Sequence, residues 1–143
     1  MSELRRIAES SETRQVRARR IAELIREAGG YRWVGIYEVT SNEIAAIAWS
    51  GGDPAFPRFP VTQGLNGAAV SSGKTVIVGD VTQDARYLTT LGNTRSEMVV
   101  PVRNGSGAII GTIDVESEIV DRFQDADREL IERCATEVEF LWH

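Results

Sequence analysis

The segment SEMVVPVRNGSGAIIGTIDVES, residues 96–117, limits the possible folds more than any other stretch of the chain. Two runs of β-branched and apolar residues flank NGSG, whose glycines offer the positive-φ positions a tight turn needs, so the segment predicts an antiparallel hairpin. Side chains alternate along a strand. Ile109, Gly111, Ile113 and Val115 therefore share one face, and Ile110, Thr112, Asp114 and Glu116 share the other. The first set is apolar and is expected to pack under helices. Asp114 and Glu116 point the opposite way, roughly 6.5–7 Å apart. If the turn pairs Val102 with Ile109, Glu97 falls opposite Asp114 and the three carboxylates converge.

Two readings of that face stand side by side. It is a solvated surface with its charges in water, or it is a ligand site. Like charges on neighbouring strands repel, and Val99, Pro101 and Ile110 on the same face ask for cover. A site of this kind calls for a cation: an ammonium group, a metal ion, or the chain's own Arg58 or Arg95.

The remaining elements follow from periodicity and breakers. Residues 4–28 predict one helix, with Ile21, Leu24, Ile25 and Ala28 at helical spacing and AGG as its stop. YRWVGIYEV and EIAAIAWS, separated by TSN, predict a hairpin. GGDPAFPRFPVTQGLNGAAV begins as a Gly- and Pro-rich loop and ends as a small-residue helix that Gly73 stops. KTVIVGDV is a strand, and TQDARYLTTLGNTR a polar segment with room for a helical turn. A last helix runs from Asp125 to Leu141, with Leu130, Ile131, Cys134, Val138 and Leu141 on one stripe. Hairpin connections with helices at both ends imply an α+β fold built on an antiparallel sheet. The expected organisation is one domain over residues 1–143: a helix at 1–28, sheet and pocket loops at 31–124, and a helix at 125–142.

Composition narrows the chemistry. A 42% hydrophobic and 26% charged chain of 143 residues can bury a core without staples. No apolar run approaches a membrane span, and the arginine-rich N-terminus is not a secretory signal. One cysteine, Cys134, excludes an internal disulfide and makes the cytoplasm the expected compartment. The net charge of -5 argues against nucleic acid as the main partner. The only histidine is His143, so Ser-His or Cys-His pairs and His-ligated zinc or haem are not expected.

WVGIY, GDPAFPRFP, QGLNGAAV, GDV, RSEMVVPV, GTIDVES and DRFQDADRELIE, in this order, resemble a GAF domain, and more narrowly the free methionine-(R)-sulfoxide reductases built on that fold. The resemblance spans about residues 31–141. It implies a central antiparallel sheet with the terminal helices on one face, often forming a dimer, and a loop-covered small-molecule pocket on the other. It also implies that Glu97, Asp114 and Glu116 stand where the reductases bind the substrate's amino group and sulfoxide, although the residue at 116 is an aspartate in the family. The reductases work through cysteine thiols. Their three cysteine positions fall here on Phe56, Asn66 and Thr90, none of which can form a thiolate. Cys134, on an apolar helical stripe, reads as a buried structural thiol.

These observations predict a non-catalytic sensory module for an amino acid or similar amine, with no cofactor. Its ligand-binding residues are expected to be Glu97, Asp114, Glu116, Trp49, Phe56, Asn66 and Thr90. Phe56 and Phe59 form an apolar lid or are ordinary surface aromatics; Trp49 is a pocket wall or a core residue. QGLNG lacks the Lys-Ser/Thr of a P-loop, so its glycines read as a tight helix entry. The other classes are an interaction module with a vestigial pocket and an enzyme of different chemistry using the carboxylates on a metal or as acid and base. For the former, Arg14, Arg17, Arg19 and Arg20 of the first helix are expected to pair with the acids of the last, within or across subunits, in a homodimer. The sensory reading in turn expects a separate signalling partner, or the oligomeric state, to carry the output.

Overall fold

The computed structural model describes residues 2–143. Its N-terminal region is two helices rather than the single one expected. α1 (Glu3–Ala8) starts on the Ser2 hydroxyl, which accepts from the Arg5 N–H. α2 (Arg14–Gly29) starts on Thr13, whose side chain accepts from the Val16 N–H, and stops at Gly30 in the left-handed region (φ 68°). A Thr cap inside SSET satisfies orphan N–H groups of a new helix, and this local bond competes with continuing the old one. Arg17 completes the corner by donating to the carbonyls of Ala8 (2.5 Å) and Glu12 (3.0 Å). The break folds Ile7 and Ala8 back into the core. The buried face of α2 is Ala18, Ile21, Ala22 and Ile25, with Leu24 half-buried and Ala28 exposed, a stripe slightly rotated from the expected one.

β1 (Trp33–Val39) and β2 (Glu43–Ser50) form the first hairpin, and β5 (Ser96–Arg103) and β6 (Ile109–Ser117) the second. Together with β3 (Arg58–Pro60) and β4 (Val76–Val78) they make a six-stranded antiparallel sheet in the order β3-β2-β1-β6-β5-β4. The β1–β6 pairing brings Gly35 opposite Asp114 and so joins the two hairpins. In the second hairpin Asn104 organises the turn, its side-chain oxygen accepting from the Ser106 (3.0 Å) and Ala108 (3.1 Å) N–H groups. Of the turn's two glycines only Gly107 takes a positive φ (88°).

The register differs from the expected one by two residues: Glu97 faces Glu116, and Val99 faces Asp114. A shift of two leaves every side chain on its face, whereas a shift of one would have inverted the sheet. A bulge beside Arg103 pairs Val102 with Gly111 and Arg103 with Ile109, leaving Ile110 as the extra residue. Ile110 consequently packs toward the helices and not, as its parity suggests, with the carboxylates.

Alternation then divides the core in two. Val34, Ile36, Met98, Val100, Val102, Ile113 and Val115 meet α1, α2 and α4 (Asp125–Glu137) on one face. On the other, α3 (Gly64–Ser72) contributes Leu65 and Ala69 beside Val99, while Trp33, Tyr37, Ile44 and Phe59 form a second cluster. The last helix ends earlier than expected. Past Val138 the chain tightens into a 3-10 turn, Glu139–Trp142. This turn lays Trp142 over Gly111, where a Cβ would come within 2.3 Å of the indole, and lets the indole N–H reach the carbonyl of Tyr37 (3.1 Å) beside a bulge in β1–β2.

A buried carboxyl cluster beneath a closed loop

On the face away from α1, α2 and α4, strands β5 and β6 carry Glu97, Asp114 and Glu116, which are 2%, 0% and 0% exposed. One oxygen from each lies within 4.8 Å of the others. The solvated reading of this face is therefore wrong: loops and α3 cover it. Gly64 (φ 73°) and Gly67, where a Cβ would lie 2.8 Å from the Thr62 backbone, let the chain turn tightly into α3. That entry sinks Asn66 onto the sheet. Thr112 donates to the Asn66 side-chain oxygen (2.6 Å), which fixes the amide so that its nitrogen donates to Asp114 Oδ2 (3.0 Å). Thr94 donates in the same way to Glu116 Oε1 (2.8 Å).

Three oxygens remain without a partner: Glu97 Oε1, Asp114 Oδ1 and Glu116 Oε2. Burial pushes the Glu97 and Glu116 carboxyls well above the usual carboxylate range, and the Asp114 charge adds to both shifts. Asp114 is also raised by burial, with hydrogen bonds from its neighbours opposing the shift. Tyr37, packed edge-on to Phe59, has its phenol pushed up by burial and by the three acids beside it. Tyr87 is held at about 12 by burial and by Glu116. Neither Arg58 nor Arg95 supplies the missing cation. Arg58 pairs with Glu43 and Arg95 with Asp80, both on the exposed rim.

Above the cluster is a cavity of only about 10 Å³, about the space of one water. Of the residues the sequence singled out, Phe56, Phe59, Asn66, Thr90 and Glu97 line it. Phe56 is 49% exposed at its rim, and Thr90 is buried, its carbonyl accepting from the Ala55 N–H (2.9 Å). Trp49 is not among the lining residues. It packs half-buried against the Trp33–Tyr37–Ile44–Phe59 cluster, with its indole N–H on Asp53 (3.0 Å). Tyr37, Tyr87, Thr94 and Thr112 belong to the site and were not anticipated as such. For Thr112 the strand parity was a usable signal; Tyr87 and Thr94 arrive on a loop whose path no periodicity reveals.

A far larger hollow, about 710 Å³, lies between α4 and the β5–β6 turn. Lys74, Arg103 and Arg128 face Glu132 and Glu139 there, and none of its lining residues carries an unpartnered buried oxygen. Chemical demand, and not room, singles out the carboxyl cluster. Calcium and magnesium held by three carboxyls complete their shells with waters, for which a cavity of about 10 Å³ leaves no room. The three free oxygens equal in number the three N–H donors of a primary ammonium group.

Sheet order, helix placement and the loop-covered face together define a GAF domain, and the GAF family model matches residues 13–141; the chain belongs to that family. Within it, the chain is similar to the free methionine-R-sulfoxide reductase of Saccharomyces cerevisiae, with 30% identity over 105 residues. That match covers 72% of this chain but 58% of the yeast protein, so the chain spans less than two thirds of that relative. GAF domain-containing protein A of Dictyostelium discoideum is 30% identical over 107 residues, covering 75% of this chain and 67% of that protein. Among solved structures, the Neisseria meningitidis free methionine-R-sulfoxide reductase in complex with its substrate superimposes with a TM-score of 0.87 at 28% identity. The superposition covers 97% of this chain and 83% of that one. Cys134 lies buried in the helix-side core, on the opposite face of the sheet from the carboxyls.

Proposed function

We propose that this GAF domain is a non-catalytic binding module for a small amine-bearing metabolite, an amino acid such as methionine or its sulfoxide. The observation that carries the reading is the set of three unpartnered, buried carboxyl oxygens, one each from Glu97, Asp114 and Glu116. A buried acceptor without a donor costs on the order of 1–3 kcal/mol, so three together favour a ligand that brings three donors and a positive charge. The likeness to reductases of free methionine sulfoxide supports an amino acid as the carrier of that ammonium. The absence of catalysis is supported by the single thiol, Cys134, which is buried away from the pocket and pushed up to about 11 by burial. Since the closed cavity holds no more than a water, entry of an amino acid requires the residues that cover it, the exposed Phe56 among them, to move.

Calorimetry with L-methionine and both methionine sulfoxide epimers tests the reading. Asp114→Asn should fold normally and lose at least tenfold in affinity, since one ion-paired acceptor is worth about 1.5–3 kcal/mol. Undiminished affinity in that variant would remove the cluster from consideration as the ammonium site.

We also propose a homodimer through the helical face. A hollow of about 200 Å³ there is lined by half-buried Leu4, Leu24 and Leu130, an apolar stripe suited to a second copy. Its charges do not act as expected within the chain. Arg14 pairs with Glu38, Arg20 with Glu12, and Arg17 caps α1, so no arginine of α2 meets an acid of α4 among the described residues.

A further inference from the structure

Every element around the carboxyl cluster presents it with an acid or a neutral group. β1 supplies Tyr37, β5 supplies Glu97, and β6 supplies Thr112, Asp114 and Glu116; α3 contributes Asn66, and the loop before β5 brings Tyr87, Thr90 and Thr94. Both phenols stay protonated at neutral pH, because burial and the neighbouring acids raise them. No described cation reaches the cluster, since Arg58 and Arg95 are engaged at the rim with Glu43 and Asp80. The two hydrogen bonds that do arrive, from Asn66 and Thr94, come from neutral groups and leave one oxygen of each recipient bare. The cavity above has no room for a hydration shell.

Three full negative charges within 4.8 Å of one another in such a volume are not sustainable. A proton on one carboxyl, however, turns a bare acceptor into a donor for its neighbour's bare oxygen and removes a charge at the same time. Carboxyls this close share protons and titrate as a unit.

We propose that the unliganded cluster stores protons at neutral pH and exchanges them for the ammonium group of its ligand, so that binding releases protons and tightens as pH rises. The proposal rests on the amine reading given above and adds its regulation. The ammonium replaces one unit of positive charge with another. About one proton therefore leaves to solvent per ligand bound, and no covalent bond changes other than the O–H that breaks. The domain would respond to pH and metabolite jointly: acid keeps the protons on the cluster, and a rise in pH or in amine concentration draws them off.

Two measurements on the intact protein decide the matter. Carbon-13 NMR of the Glu and Asp carboxyl carbons follows protonation of the free cluster, and calorimetry with L-methionine is run from pH 6 to 8 in two buffers of unequal ionisation heat. The expected result is a set of carboxyl carbons still protonated at pH 7, about one proton released on binding, and a Kd that falls about tenfold per pH unit. If all carboxyl carbons titrate in the ordinary range while L-methionine still binds, the proton store is refuted and the amine reading survives. Binding that is independent of pH and buffer refutes the exchange. Protonated carbons with no binding of L-methionine, nor of methylammonium as the smallest amine probe, refute the amine reading and the exchange with it.

Discussion

Replacing Glu97 by Gln should change stability in a manner that depends on pH, and the size of the effect can be worked out. Glu97 is buried beside Asp114 and Glu116, with its carboxyl well above the ordinary range. An unfolded chain releases the same proton near pH 4.3, so above about that pH the unfolded state binds fewer protons than the folded one. Stability then falls as pH rises, by about 1.4 kcal/mol per pH unit for each carboxyl that stays protonated, until the folded-state value is reached. Between pH 4.3 and 7 one such carboxyl accounts for a loss of roughly 3 kcal/mol. Gln keeps the shape, cannot ionise, and offers an N–H to the bare oxygens of its neighbours. Glu97→Gln should therefore be close to neutral at pH 4 and stabilising by up to about 3 kcal/mol at pH 7, or roughly 6–12 °C in Tm for a chain of this size. Denaturant melts of both proteins at pH 4, 5.5, 7 and 8 read this directly. A stabilisation equal at all four values, or a destabilisation that grows with pH, would show that Glu97 is ionised in the folded protein and would refute the argument.

The other predictions probe separate parts of the fold. Gly111→Ala places a Cβ 2.3 Å from the Trp142 indole. It should displace the C-terminal turn, break its bond to Tyr37 and cost about 1–3 kcal/mol in a urea melt; an unchanged midpoint would mean that Trp142 is not docked there. Cys134, buried and held at about 11, should resist thiol-reactive dyes at pH 8 in the native protein and react fully in urea. Fast labelling of the folded chain would contradict its burial.

How much of this was legible in the residues depends on the range of the interaction. Parity along GTIDVES put Asp114 and Glu116 on one face and Ile113 and Val115 on the other, because alternation is a property of the strand alone. The same holds for Gly30 and Gly73, which stop their helices in the left-handed conformation. Glu97 joined the carboxyls even though its register was off by two, since an even slip preserves the face. The alternation of DVES does not reveal what faces it. That Arg58 and Arg95 turn away to Glu43 and Asp80, and that Asn66 and Thr94 each tie down one oxygen, are outcomes of loop paths that no local periodicity encodes.

The helical elements divide along the same line. The apolar stripes of α2 and α4 were readable at helical spacing. The break at Thr13 and the tightening after Val138 were not, because each depends on a partner distant in the chain or on a rival local bond: Arg17 closing over Ala8, and Trp142 finding Gly111 and the Tyr37 carbonyl. By itself, then, the sequence determined the fold class, the face on which the acids lie and the presence of a single thiol. Only the tertiary structure decided that the acids are buried, close together and each left with an oxygen that no other side chain or backbone group of the protein partners. Burial and missing partners are properties of the space between elements, and that space exists only once α3 and its loops have packed onto the sheet.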